Sequence, residues 1–318
     1  MLKLYGRYFI AILLIFMIVI VGTLCCQCAV GNKTFLWEIK SPNNTVYLLG
    51  SIHSLRECDY PLPRQMEKAF NNTDILVFEI DPDMLNSDEY THLEIEKAAL
   101  TDNGTLLSIL GETDYQRLSY VLSKLDMNIS SFDSYDPWLV DLIVQYELKQ
   151  QFGFYVSLGV EHYFDNKAKA TGKKALGLET MEYHIDILDG LSIQSQQESL
   201  HKTLNAYEAA MNIINLNAYE EMDFFTYEGI ESSYDKNIQA WKSGDLSYEN
   251  AGLLQLRLDN PEYFNRVLVQ RNLYWLPQIE GFINQSQNYL VIVGEGHMVG
   301  DDGLIKLLQS DGYSVIQE

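Results

Sequence analysis

Two stretches at opposite ends of the sequence close an apolar run on glycine and place a histidine three residues later. They are "YLLGSIHSL" (residues 47–55), with Gly50 and His53, and "YLVIVGEGHMVG" (residues 289–300), with Gly294 and His297. Glycine lets a backbone turn sharply off a strand and approach a ligand closely. Imidazole binds divalent metals and moves protons near neutral pH. Two further apolar runs end near carboxylates: Glu79 in "VFEID" and Glu179 in "GLET". If these four runs are strands of one parallel sheet, their ends share the edge at which open α/β sheets bind ligands. Two imidazoles and two carboxylates on that edge are a donor set for a divalent cation. Each piece also has an ordinary reading. A strand-end histidine serves as a loop residue, and Glu79 and Glu179 serve as surface charges or helix caps.

A cation completes the set. Arg271, beside Asn272 in "LVQRNLYWLPQI" (residues 268–279), sits on an amphipathic helical pattern. It either snorkels to solvent or points into the site, where it would neutralise a carboxylate or stabilise an oxyanion. His92, His162, His184 and His201 fall in helix-like stretches and read as structural or surface residues. The glycines of "GEGHMVG" are spaced G-x-G-x-x-x-G, and the chain ends too soon for a dinucleotide-binding domain. H-E-x-x-H, G-x-S-x-G and P-loop patterns do not occur.

The elements that must position these residues follow from periodicity and turn chemistry. "TFLWEIKSPNNTVYLLGSIH" is a hairpin around Ser-Pro-Asn-Asn. "PLPRQMEKAFNNT" is a helix with Pro63 near its start, and "DILVFEID" (74–81) is a short buried strand. Helical spacing covers about 85–171, strand returns at 173–180, and helices fill 186–286. Strand 289–293, a helix near 302–310 and a last strand "YSVIQE" close the chain. The pattern predicts an α/β fold: a mainly parallel central sheet built from the N- and C-terminal segments, with a helical middle or cap region.

The 318 residues carry a net charge of −22, which argues against nucleic acid as a partner. Lys3 and Arg7 precede an uncharged apolar run, residues 9–26. Residues 1–30 therefore read as a signal peptide or membrane anchor, with residues 31–318 as one domain outside the cytoplasm, secreted or held at the membrane. Cys25, Cys26 and Cys28 lie at the end of that segment, leaving Cys58 alone in the body. Asn-x-Ser/Thr triplets at Asn32, Asn43, Asn71, Asn103, Asn128 and Asn284 are available for glycosylation in an exported chain. Nothing in the sequence sets an oligomeric state.

The chain resembles the TraB/GumN/PrgY family, which includes the Tiki proteins that cleave Wnt ligands. The resemblance lies in "FLWEIKS…VYLLGSIHSL", "YPLP" with "AF", "DILVFEID", "GVEHYFDNKAKATGKKALGLET", "RN" with "WL", and "VIVGEGHMVGDDGLIKLL". These cover almost everything after residue 35 and look most like the GumN branch. The resemblance implies an α/β domain and a metal-dependent, peptidase-like hydrolase acting on peptides or proteins. Manganese or cobalt is the metal suggested for Tiki, and zinc remains open. By the same resemblance the family's motif positions fall on His53, His297, Glu79, Glu179 and Arg271, with Glu161 of "GVEHYF" a further acidic position; the chemistry of a metal-bound water then makes His53 and His297 the expected metal ligands, with Glu79 completing the set. Glu179 is expected as general base and Arg271 as oxyanion stabiliser, although which glutamate is ligand and which is base stays open. The competing expectation is a non-catalytic module of the same fold that sequesters a peptide, haem or metal. Members of the family differ widely in biological role, so the substrate is not implied.

Overall fold

The structure is a computed structural model, and it describes residues 33–101, 104–210 and 227–318, with side chains 210–232 not described. The expectations for residues 1–30, and for the triplets at Asn32 and Asn103, lie outside the described residues.

A six-stranded sheet runs in the order β4-β3-β5-β2-β1-β6. Its strands are β1 (Leu36–Lys40), β2 (Thr45–Ser51), β3 (Ile75–Ile80), β4 (Lys174–Glu179), β5 (Tyr289–Gly294) and β6 (Val315–Gln317). β2–β5, β3–β5 and β3–β4 pair in parallel, while β1 pairs antiparallel with β2 and β6. The expected α/β class, with a mostly parallel sheet drawn from both ends of the chain, is what the fold shows. The hairpin forms where Ser41 Oγ accepts the Asn44 amide at 3.1 Å, which closes the turn. Asn44 Nδ2 then ties the turn to the carbonyls of Phe282 and Gln287, both at 2.8 Å.

Every residue of β5 is buried. That fits a central strand covered on both faces, and it explains the unbroken apolar run 289–293. Parallel registry sets the strand ends level: Ser51 opposite Gly294, and Ile80 opposite Glu179. The four runs singled out in the sequence therefore finish along one edge.

Helices pack around this sheet. α1 (Arg64–Asn71) bridges β2 and β3. α2 (Asp88–Lys97), α3 (Leu106–Lys124), α4 (Pro137–Gln151) and α5 (Val160–Thr171) lie between β3 and β4. α6 (Met181–Asp189), α7 (Ile193–Ala210), α8 (Tyr227–Ser243), α9 (Ser247–Asp259) and α10 (Gln270–Ile283) lie between β4 and β5, and α11 (Leu304–Ser310) precedes β6. α6 starts directly off β4 because Thr180 Oγ accepts the Tyr183 amide at 3.2 Å, an N-cap one residue past Glu179. α10 is entered through a π-helical stretch, Asn265–Val269, which ends two residues before Arg271. Such stretches shift the facing of the residues that follow them.

The core joins both sheet faces to these helices, with Phe35, Leu48, Leu49, Phe164, Trp241 and Trp275 fully buried. Among the described residues no helix is long and apolar enough to cross a membrane.

Candidate active site at the C-terminal edge of the sheet

Gly50 is the first constraint. A Cβ built there would stand 2.7 Å from Phe35 Cδ1 and 3.1 Å from the Glu295 backbone, too close to accommodate without movement. The Gly50 carbonyl accepts Trp241 Nε1–H at 2.6 Å, which fixes the end of β2. The chain can then leave the sheet and carry His53 over its edge.

Gly294 does the matching job for β5. A Cβ on it would lie 3.2 Å from His53 Nε2, 3.4 Å from Glu79 Oε1 and 3.5 Å from His297 Cδ2. Three of the expected site residues therefore converge on the face of one glycine. The Gly294 N–H also donates to Glu79 Oε1 at 2.7 Å.

Arg271 lies at the centre of the cluster. Its Nε donates to Glu179 Oε1 at 2.7 Å, Nη2 donates to Glu179 Oε2 at 3.1 Å and to Glu79 Oε2, and Nη1 faces His297 Nε2 at 3.3 Å. Its guanidinium carbon rests 4.6 Å from the centre of the Trp275 ring. Neither snorkelling nor a surface role applies, because Arg271 is buried. Its two carboxylate partners raise its pKa against the opposing pull of burial. The same guanidinium, with His53 and the Gly294 N–H, holds the buried Glu79 carboxyl well below the usual carboxylate range against the effect of burial.

Glu179 has no exposed side-chain surface. Besides Arg271 it accepts Trp275 Nε1–H at 3.0 Å and meets His184 Nδ1 at 2.7 Å. All its ready acceptor positions are taken.

The two histidines differ. His297 is buried, and its Nδ1 lies 2.7 Å from Asn272 Oδ1. Asn272 Nδ2 donates to the Asp302 carbonyl at 2.8 Å, so its oxygen is the atom left to face the ring. That network assigns the proton to Nδ1 and a lone pair to Nε2. Burial and the neighbouring guanidinium push the His297 pKa down to about 3, so the ring is neutral. His53 has 58% of its side chain exposed and sets Nδ1 against Glu161 Oε1 at 2.7 Å. The Glu161 carboxylate pushes the His53 pKa up to about 9. Ser51 Oγ donates to the same Glu161 oxygen.

Two cavities open on this cluster, of about 310 Å3 and about 440 Å3. His53, Glu79, Lys149, Val267 and Arg271 line both.

The six residues singled out in the sequence thus gather at one edge in two bonded sets, Arg271 with Glu79, Glu179 and His297, and His53 with Glu161, which meet at the Gly294 hollow. His184, Asn272 and Trp275 belong to the first set as well. Each comes from the same α6 and α10 segments that carry or follow Glu179 and Arg271, but their types alone did not mark them. His184, read as structural or surface, bonds Glu179.

Whether the site suits a metal turns on its donors. Among the described residues there is no ready-made cluster of three or more His, Cys, Asp or Glu side chains for a metal. The donor chemistry nevertheless fits a divalent cation. Both imidazoles have Nδ1 fixed by an oxygen partner, which leaves Nε2 as the coordinating atom. Glu79 Oε1 sits beside the same Gly294 hollow as His53 Nε2. For His297 to bind a cation, Arg271 Nη1 must release its Nε2.

Sequence comparison identifies the family. Residues 35–317 match the model of the TraB/PrgY/gumN family, and the chain belongs to that family. It is 21% identical to YbaP of Escherichia coli strain K12 over 292 residues, covering 88% of this chain and 96% of that protein. It is 23% identical over 345 residues to the protein named Metalloprotease TIKI2 of Danio rerio, covering 91% of this chain and 62% of that protein. No solved structure matches.

Proposed function

We propose that this protein is a divalent-metal-dependent hydrolase of peptide bonds. The observation that carries the reading is the hollow at Gly294, where His53 Nε2, Glu79 Oε1 and the His297 ring converge. Distant similarity to a protein named as a metalloprotease supports it.

His53, Glu79 and His297 would hold the metal, with manganese, cobalt and zinc the ions to test. When bound, the metal polarises a carbonyl and lowers the pKa of water. Glu161 and Asn272 orient the two rings through Nδ1. Arg271 offers N–H groups beside the cavity wall, where negative charge develops on a carbonyl oxygen.

Glu179 was expected as the base. With its acceptor positions filled by Arg271, Trp275 and His184, we assign it instead the task of aiming Arg271. Proton transfer then falls to Glu161, which lines the larger cavity and whose carboxyl pKa is lowered by His53 against the effect of burial. We further place the reaction outside the cytoplasm, on the strength of Lys3, Arg7 and the uncharged run 9–26.

The test is elemental analysis of the full chain after loading with each ion, followed by cleavage of a peptide library. One bound metal per chain is expected, and His53→Ala and His297→Ala should each lose it while keeping the wild-type circular dichroism. Normal metal uptake by both variants overturns the site. Metal uptake with no peptide cleaved under any ion assigns the chain to the sequestering class instead.

A further inference from the structure

Lys149 stands apart from the other cations of this cleft. It lies in the last turn of α4, half-buried, and lines both cavities together with His53, Glu79 and Arg271. The neighbouring positive groups are matched. Arg271 has Glu79 and Glu179, and His53 has Glu161. Near Phe154, Arg56 has Asp59 and Asp235. Among the described residues no carboxylate and no hydrogen-bond acceptor is bonded to Lys149. Burial, with no partner opposing it, pushes its pKa down. The smaller cavity beside it is walled by Phe154, Ile238, Val267 and Leu268.

An ammonium held against apolar walls is costly unless something pairs with it. The acids lining these cavities are engaged elsewhere. Glu79 and Glu179 bind Arg271, Glu161 binds His53 and Ser51, and Asp165 pairs with Lys169. Glu295 accepts Asn237 Nδ2–H, and burial pushes its carboxyl up to about 8, so it offers Lys149 no ready anion. A ligand can bring the anion that these residues do not supply. We propose that Lys149 selects substrate by binding a carboxylate of the peptide, either its free C-terminus or an acidic side chain near the scissile bond. The apolar wall would take a neighbouring hydrophobic side chain. This inference rests on the peptide-hydrolase reading above and names the substrate class of that site.

The experiment measures binding, so it does not depend on turnover. Fluorescent peptides whose amide bonds are reduced to block cleavage are titrated against the full-length, metal-loaded protein. They are made in pairs: free acid against C-terminal amide, and Asp or Glu against Asn or Gln. A single charge-assisted contact predicts that the carboxylate member of one pair binds about tenfold to a hundredfold more tightly. The pair that discriminates identifies the source of the carboxylate.

In Lys149→Met the ratio should fall to about one, in Lys149→Glu it should invert, and Lys149→Arg should retain most of it. Circular dichroism melts check that each variant folds. Equal binding of both members by the wild type, including no measurable binding of either, overturns the proposal. So does a ratio that survives in Lys149→Met. The two readings fail separately. Peptides cleaved without carboxylate preference leave the hydrolase standing and remove the role of Lys149. A carboxylate preference without cleavage does the reverse.

Discussion

Glu179→Gln decides between two jobs for one residue. As a general base, Glu179 would matter to turnover and little to stability. As the group that aims Arg271, it should matter heavily to both. It accepts Arg271 Nε at 2.7 Å and Nη2 at 3.1 Å with no side-chain surface exposed. Removing one partner of a buried ion pair costs about 3–5 kcal/mol. Arg271 keeps Glu79 on Nη2, which points to the lower end, about 3 kcal/mol. The new NH2 must also face a guanidinium N–H in either orientation, with Trp275 Nε1–H beside it in one and His184 in the other. At about 2.1 cal/mol/K of unfolding entropy per residue, each kcal/mol shifts the melting temperature of a chain of this size by about 1.5–2 °C, so the variant should melt roughly 5–6 °C lower. The assay is a thermal melt by circular dichroism, paired with the double variant Glu179→Gln/Arg271→Met. Because the two side chains act as a unit, the double variant should lose clearly less stability than the sum of the singles. A Glu179→Gln protein that melts within about 1 °C of wild type, yet has lost hydrolysis, would refute the anchoring role and restore Glu179 as a proton-transfer group.

Further predictions follow from the two imidazoles. The folded-state pKa of His297 is pushed down to about 3 from an ordinary 6.5, so between those values the unfolded chain binds the proton and the folded chain does not. Stability must therefore rise with pH across that window. Urea titrations at pH 4.5 and 6.5 should show it, and a His297→Gln protein with an unchanged slope would contradict the assignment. His53 is shifted the other way, to about 9, by Glu161. An NMR titration of the metal-free protein should follow its ring well above 6.5, and Glu161→Gln should return it toward that value. Metal needs the deprotonated ring, so metal affinity should climb between pH 6.5 and 9. A flat profile there would exclude His53 as a ligand.

Much of this arrangement was readable from the chain alone, for definable reasons. β2, β3 and β5 announce themselves because buried parallel strands are continuous apolar runs. Gly50 and Gly294 stand out because each ends an apolar run where a side chain would crowd its neighbours, by clash at Gly50 and by tight contact with the site residues at Gly294. What stayed hidden is non-local or rotational. β5 inserting between β3 and β2 is a pairing across more than two hundred residues, and no local pattern encodes it. Arg271 and Asn272 are adjacent on α10 and so diverge around the helix axis, yet both reach the site because Arg271 turns to Glu179 while Asn272 meets His297. His184 was legible in principle. Five residues after Glu179, past the Thr180 cap, the first turn of α6 brings its ring back over the carboxylate. Lys149 carries no such signal, since a lysine in a last helical turn is ordinary by position.

The repeated Gly-x-x-His is a repeat of geometry and not of chemistry. Both copies turn the chain off a parallel strand at the same sheet edge, which is why their rings meet over Gly294 although 244 positions separate them. Their surroundings then drive them apart. Burial, and then the Arg271 cation, keep His297 unprotonated, while Asn272 holds its Nδ1 and leaves the lone pair on Nε2. Glu161, an anion, keeps His53 charged until something displaces its proton. A cation entering the hollow would meet one neutral ring that only has to part from Arg271 Nη1 and one that must release a proton first. Loading should therefore release close to one proton per site near neutral pH, and Glu161→Gln should reduce that number. Calorimetric titration in buffers of different ionisation enthalpy counts the protons directly. A count of zero in the wild type would show that His53 does not take part in binding the metal.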